Sequence, residues 1–180
     1  MILSFDVGEV NLAYCLISVE NKKILNWNVV NIKASTYDKQ CEKLIEELNK
    51  INLENETKTT VVIERQPCRN PKMRIISGQI QMYYALKKYN DENVSKVVYY
   101  SPKHKLKCFV PQENDPAIIE KHYKSSYSQR KYLATQYCSI MIRRELEQDQ
   151  QWIDFFDQNK NKKDDLSDSY LQGIAYLMKL

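Results

Sequence analysis

ILSFDVGEVNLAYCLISV, residues 2–19, sets two apolar runs, Ile2–Val7 and Leu12–Val19, on either side of a short break around Gly8. Aliphatic and aromatic residues dominate both runs, and so short a polar break suits a hairpin. Asp6 stands where a buried strand would carry another aliphatic side chain. Taking a lone carboxylate out of water costs several kcal/mol even after relaxation, unless something compensates it. Asp6 therefore needs a partner that the rest of the chain must supply.

Ile24–Ile32 adds a third β-rich stretch after the break Asn21–Lys23, which gives a meander. Over Tyr37–Asn52 the spacing turns helical, with Cys41, Leu44, Ile45, Leu48 and Ile51 on one face. After the polar linker Leu53–Thr60, Val61–Glu64 reads as a central strand covered on both faces. A second helix reaches about Tyr89 on Ile76, Ile80, Tyr83, Tyr84 and Lys87, and Lys96–Tyr100 is a further strand. From Pro102 to about Tyr127 there are three prolines, two histidines and no clean periodicity, which predicts a substantial loop that a ligand could order. Ser128–Glu147 is helical on Leu133, Tyr137, Ile140, Met141 and Arg144, Trp152–Phe156 is an aromatic anchor, and Asp164–Leu180 is a last amphipathic helix. A meander feeding right-handed βαβ crossovers predicts an α/β domain over residues 1–180, a mixed five-stranded sheet flanked by helices. Its element order resembles the ribonuclease H-like fold.

Composition bounds the rest. Hydrophobic residues are 43% and charged residues 28% of 180, which suits a globular protein and excludes a disordered tail. No apolar run approaches the ~20 residues of a membrane span, and the N-terminus lacks the pattern of a secretory leader. Five scattered cysteines and only two histidines argue against zinc and fit a reducing compartment. Cys15, Cys41 and Cys138 lie in apolar patterns and are expected to pack as small hydrophobes. Net charge is only +4, but Lys and Arg concentrate in Arg65–Arg74 and Lys103–Lys107, either a solvated face or a binding patch for an anionic partner.

Glu64 repeats the puzzle of Asp6 at the C-terminal end of a central strand, where ligands bind in mostly parallel sheets. A third acidic group, Asp164, Asp165 and Asp168, opens the last helix. Acids in a first turn favour the helix dipole, a sufficient local explanation for that group taken alone. Strand acid, strand acid and helix-start acids together point to a strongly positive occupant, and Mg²⁺ prefers oxygen ligands. Two such ions can activate a water and stabilise a departing 3′-oxygen in phosphodiester hydrolysis.

Phe5-Asp6-Val7-Gly8, Val62-Ile63-Glu64-Arg65-Gln66 and Asp165-Leu166-Ser167-Asp168-Ser169 resemble, in order, the acidic motifs of RuvC-type Holliday-junction resolvases, above all those of poxviruses and other large DNA viruses. The Ile-Glu-Arg-Gln form is also similar to the mitochondrial resolvases of fungi. The resemblance implies a homodimeric endonuclease that nicks opposite strands of four-way and other branched DNA, with neither membrane nor small-molecule substrate. It implies two Mg²⁺ per site, with Mn²⁺ substituting, held by Asp6, Glu64, Asp165 and Asp168; Asp164 is the alternative to Asp165. It also implies a catalytic lysine, for which Lys105 is favoured by position, then Lys103, with Lys107 also present. Arg65, Gln66, Arg69, Lys72, Arg74, Lys103 and Lys107 are the expected DNA contacts. The dimer contact falls to the helix before the second catalytic cluster or to Met73–Tyr89. A poxviral protein of this kind would act at the viral replication site in the host cytoplasm.

Three rivals remain. A ribonuclease H acting on RNA–DNA hybrids would use a similar acid cluster. An actin-like kinase would need more glycine-rich phosphate turns than Gly8, Gly78 and Gly173 provide. A non-catalytic DNA-binding module would use the acids structurally only.

Overall fold

A computed structural model describes residues 1–53, 57–119, 121, 123, 125–144 and 150–179. Part of the expected linker, His122, the expected helix end at Glu147 and Leu180 lie outside the described residues.

The chain runs β1 (Ile2–Val7), β2 (Asn11–Ile17), β3 (Ile24–Asn31), α1 (Tyr37–Asn49), β4 (Thr59–Glu64), α2 (Pro71–Tyr89), β5 (Val94–Tyr100), a 3₁₀ segment Pro102–Cys108, α3 (Ser126–Arg144), α4 (Gln150–Gln158) and α5 (Lys163–Leu177). The five strands stand in the order β3-β2-β1-β4-β5. β1–β2 and β2–β3 are antiparallel, whereas β1–β4 and β4–β5 are parallel. The mixed sheet expected from the element order is present, with helices on both faces. No described helix is long and apolar enough to cross a membrane.

Strand alternation divides the core. Leu3, Phe5, Val7, Val61 and Ile63 pack toward Leu44, Leu48, Ile76, Ile80 and Tyr84 of α1 and α2. Ile2, Cys15, Ile17 and Val62 face Cys138, Ile142, Phe156 and the apolar side of α5. Trp27 locks the second layer, stacking on Phe156 at 5.4 Å between centroids and donating its indole N–H to Leu166 O and Ser169 Oγ, both at 3.2 Å. Two glycines allow close approach: a Cβ at Gly8 would stand 2.7 Å from Asn11 O in the β1–β2 turn, and one at Gly173 would press on Ile17 and Ser4 beneath α5.

Several local expectations change. Trp152–Phe156 belongs to a full helix, α4. On α3 the residues packed with α5 are Ala134, Cys138 and Ile142; of the expected row Ile140 is buried, whereas Tyr137 and Met141 are only partly covered. Ile45 is 43% exposed and Cys41 half-buried, so the covered stripe of α1 is Leu44 and Leu48, continued by Ile51 beyond its end. The segment after Pro102 begins as an ordered 3₁₀ turn. Beyond it the chain is pinned to α3 by Phe109 stacked on Tyr137 at 4.1 Å and by Arg144 Nε donating to Asp115 Oδ1 at 2.6 Å.

Candidate active site

The β1–β4 register pairs Ser4 with Val62 and Phe5 with Ile63. Asp6 and Glu64 each come one residue later, so they stand side by side at the C-terminal ends of two parallel strands. Alternation aims both toward the layer of α5. From α5, Asp168 completes the group. One turn further along, buried Gln172 donates through Nε2 to Phe5 O at 3.0 Å, Ser4 Oγ at 3.1 Å and Val62 O at 3.4 Å. This amide ties α5 to the two strands that carry the other acids, and so fixes Asp168 over them.

Lys105 answers the question of Asp6. Its Nζ lies 2.9 Å from Asp6 Oδ1, 3.3 Å from Glu64 Oε2 and 3.3 Å from Asp168 Oδ2, and its side chain is only 5% exposed. The 3₁₀ segment positions it. Ser101 Oγ accepts from Lys103 N, and buried Cys108 donates its thiol to Lys105 O at 2.9 Å. That turn points Lys105 inward and leaves Lys103 and Lys107 exposed.

The electrostatics follow from burial and crowding. Burial pushes Asp6 up, but the Lys105 charge and hydrogen bonds from Glu64 and Lys105 more than reverse it, so its carboxyl stays below the usual range. Glu64 rises to about 8 through burial, with the hydrogen bond and charge of Asp6 and the charge of Asp168 outweighing Lys105. Asp168 rises to about 6, again chiefly by burial. Burial disfavours the Lys105 ammonium, yet the three acids hold its pKa above the ordinary lysine value.

Asp165 lies outside the direct contacts of Lys105. It is paired with Lys162 at 3.8 Å, and its carboxyl is raised by burial and by the charges of Asp164 and Asp6. Asp164 turns to α3, where it pairs with Lys131. Lys131, which sequence reasoning missed, also lies over the ring of Tyr127 and contributes positive potential to Asp6 and Asp168. Nothing in its helix spacing marks it. Gln172 was also missed, though a glutamine four residues after Asp168 on an otherwise apolar helix side is a legible signal.

Of the expected basic contacts, Arg65, Arg69 and Arg74 are exposed beyond β4, Gln66 is half-buried against Glu64, and Lys72 pairs with Glu9 at 3.6 Å. These residues lie on the segment after β4 and in the first turn of α2, while Lys103 and Lys107 lie on the segment after β5.

The donor set suits a divalent metal in chemistry and charge: three carboxylates surround a single cation, with a fourth close by. Among the described residues no three His, Cys, Asp or Glu side chains stand in ligating arrangement. The Lys105 ammonium fills the space between the acids, so a metal would take its place.

Comparisons with known proteins agree with this architecture. T. thermophilus RuvC, solved in complex with a Holliday junction substrate, has a similar fold at a TM-score of 0.55, covering 97% of this chain and 90% of that chain at 14% identity. This establishes the ribonuclease H-like fold. An uncharacterized protein of Acanthamoeba polyphaga mimivirus is 33% identical over 146 residues, 77% of this chain and 32% of that protein. The chain thus spans about a third of the length of that curated relative. The family model described as poxvirus A22 protein matches residues 1–180, the whole sequence, and the chain accordingly belongs to the poxvirus A22 protein family.

Proposed function

We propose that this protein is a Holliday-junction resolvase, a metal-dependent endonuclease that cuts four-way DNA junctions by paired nicks. It would serve DNA recombination and the processing of viral replication intermediates in the host cytoplasm. The observation that carries the reading is the convergence of Asp6, Glu64 and Asp168, from two adjacent parallel strands and one helix, on a single buried cation. Groups whose ionisation is shifted by burial and by one another cluster at functional sites, and this cluster stands at the end of the sheet where ligands bind.

Asp6, Glu64, Asp165 and Asp168 would hold Mg²⁺ or Mn²⁺, two ions in this proposal. Bound metal would supply an activated water and neutralise the departing 3′-oxygen. Lys105, released from the acids, would present its ammonium to the charge that develops on the scissile phosphate. Gln172 keeps the strand and helix acids in register. Arg65, Gln66, Arg69, Lys72, Arg74, Lys103 and Lys107 would neutralise the backbone of the arms. Their contribution is sequence-independent and salt-sensitive.

A second copy of the chain supplies the second cut, since a four-way junction has near two-fold symmetry. Helix α2 is the proposed contact. Met82, Leu86 and Tyr89 are exposed at 71%, 57% and 87%, and their spacing places them on one side of the helix. Nearby Gly78 leaves open space where a partner helix could approach.

The test is cleavage of a labelled four-way junction, a matched duplex and an RNA–DNA hybrid by wild type and Asp6→Asn, with Mg²⁺, Mn²⁺ or EDTA. Symmetric, metal-dependent cutting of the junction by wild type, with binding but no cutting by Asp6→Asn, is expected. Preferential cutting of the hybrid would transfer the assignment to ribonuclease H. Binding without cutting by wild type would leave a DNA-binding module.

A further inference from the structure

The first turn of α5 offers two carboxylates for one place beside Asp168. Asp164 and Asp165 stand four and three residues before it. At about 100° of turn per residue they lie about 40° and about 60° from Asp168 around the helix axis. Rotation alone therefore leaves Asp164 the better aligned of the two. Its side chain nevertheless goes to α3, where it pairs with Lys131, 33 positions earlier in the chain. Lys131 is itself held, with its Nζ 5.2 Å from the centre of the Tyr127 ring, one turn back on α3. Asp165 is held more loosely, by Lys162 at 3.8 Å, and lies close enough to Asp6 for that charge to raise its carboxyl. The Lys131 and Asp164 side chains are 37% and 32% exposed, and pairs so open to water add little to stability. Stability gives little reason for the pair.

We propose that Lys131 is a positioning residue that selects the metal ligand: by keeping Asp164 on α3 it leaves the place beside Asp168 to Asp165. The inference rests on the reading of this cluster as the metal site of a resolvase, and adds which acid of the adjacent pair serves it and why. A hard divalent cation takes oxygen ligands without much regard to their source, so an unrestrained Asp164 would compete with Asp165. Two carboxylates free to take one position give two ligand arrangements, whereas catalysis needs its groups held to roughly 0.5 Å. Lys131 removes one arrangement without touching the reacting atoms. Because it sits on α3 and Asp164 on α5, the selection is made by the packing of two helices and not by the helix that carries both acids. The charge of Lys131 also reaches Asp6 and Asp168, so the competing role is a direct contact with the substrate phosphate. The two roles differ in one respect: only positioning depends on Asp164.

The experiment measures Mn²⁺ binding to the full-length protein by isothermal titration calorimetry, alongside junction cleavage and thermal melting in EDTA. Asp165→Asn should weaken Mn²⁺ binding on the order of tenfold or more. Adding Lys131→Met should recover most of that affinity, since the released Asp164 takes the vacated place. Adding Asp164→Asn as well should abolish the recovery, which separates ligand exchange from the mere loss of a positive charge. With Asp165 intact, Lys131→Met should slow cleavage several-fold with junction binding retained, and the double substitution Lys131→Met and Asp164→Asn should restore it. Lys131→Arg keeps the pair and should cut as wild type does. Every Lys131 variant should melt within about 4 °C of its parent. No recovery of Mn²⁺ affinity on adding Lys131→Met to Asp165→Asn would overturn the selection. So would cleavage that stays slow in the double substitution, which would assign Lys131 to the substrate, or a large fall in melting temperature with Mn²⁺ affinity unmoved, which would make the pair structural. Recovery of Mn²⁺ binding without any junction cutting by wild type would overturn the resolvase reading and uphold the selection. Absence of Mn²⁺ binding by wild type would overturn both.

Discussion

Lys105→Met keeps the length of the side chain and removes its charge. In the wild type one ammonium, 5% exposed, lies against three carboxyl groups at 2.9, 3.3 and 3.3 Å. Removing one partner of a buried ion pair costs about 3–5 kcal/mol, because the remaining charge stays buried. Glu64 already tends to hold a proton near neutral pH, and further proton uptake by the cluster brings the cost toward the lower end. For a chain of this size each kcal/mol shifts the melting temperature by roughly 2–4 °C, so a fall of about 6–20 °C is expected in EDTA at mildly alkaline pH. Mg²⁺ should restore most of that fall, since it supplies the missing positive charge and no longer competes with the ammonium. Its stabilising shift should therefore be larger in the variant than in wild type. The assay is thermal unfolding followed by circular dichroism, with and without Mg²⁺, alongside junction cleavage. Cleavage should drop on the order of 10²–10³-fold with junction binding retained, the scale seen when one donor to developing charge is removed. Unfolding of Lys105→Met at the wild-type temperature in EDTA, with the same Mg²⁺ increment as wild type, would refute the reasoning.

Three further outcomes are expected. Glu64 and Asp168 are raised to about 8 and about 6, so the folded metal-free protein binds more protons than the unfolded chain above the ordinary carboxylate range. Its stability therefore falls as pH rises through these values, whereas the lowered Asp6 matters only in acid; thermal melts in EDTA should show the fall, and the Mg²⁺ increment should grow with pH. Gln172→Leu removes the donor to Phe5 and Val62 carbonyls, so urea denaturation should show a loss of about 1–3 kcal/mol, and the cleavage rate should fall more than junction affinity. The double substitution Met82→Glu and Leu86→Glu on the exposed side of α2 should give a monomer by light scattering, with melting temperature nearly unchanged and paired nicks replaced by single ones.

The fold was legible because its signals are local and mutually consistent. The apolar runs Ile2–Val7 and Val61–Ile63 follow from strands covered on both faces, and the helical spacing of Ile76, Ile80 and Tyr84 follows from one buried side. The structure brings Asp6, Glu64 and Asp168 to Lys105 and leaves Asp165 paired with Lys162 and Asp164 with Lys131. Where reading went astray, competing rows of apolar residues were present together. On α3 the row Leu133, Tyr137 and Met141 runs beside Ala134, Cys138 and Ile142, and only packing against α5 decides between them. Periodicity is silent about Pro102–Cys108, since seven residues of 3₁₀ helix between prolines and lysines give no stable period.

The sequence by itself determined that Asp6 and Glu64 end buried strands and that Asp164, Asp165 and Asp168 open a helix, because those statements need only the periods of the backbone. It could not decide which of them meet. Asp6 and Lys105 are separated by 99 positions, and Asp6 and Asp168 by still more. Only the parallel pairing of β1 with β4, the close seating of α5 over Gly173 and the turn after β5 bring these groups within 3.3 Å. The same packing sends Asp164 away to Lys131 on α3. Local pattern records which way a side chain faces, whereas a charge cluster is a property of distances, and distances between remote residues are fixed only when the layers close.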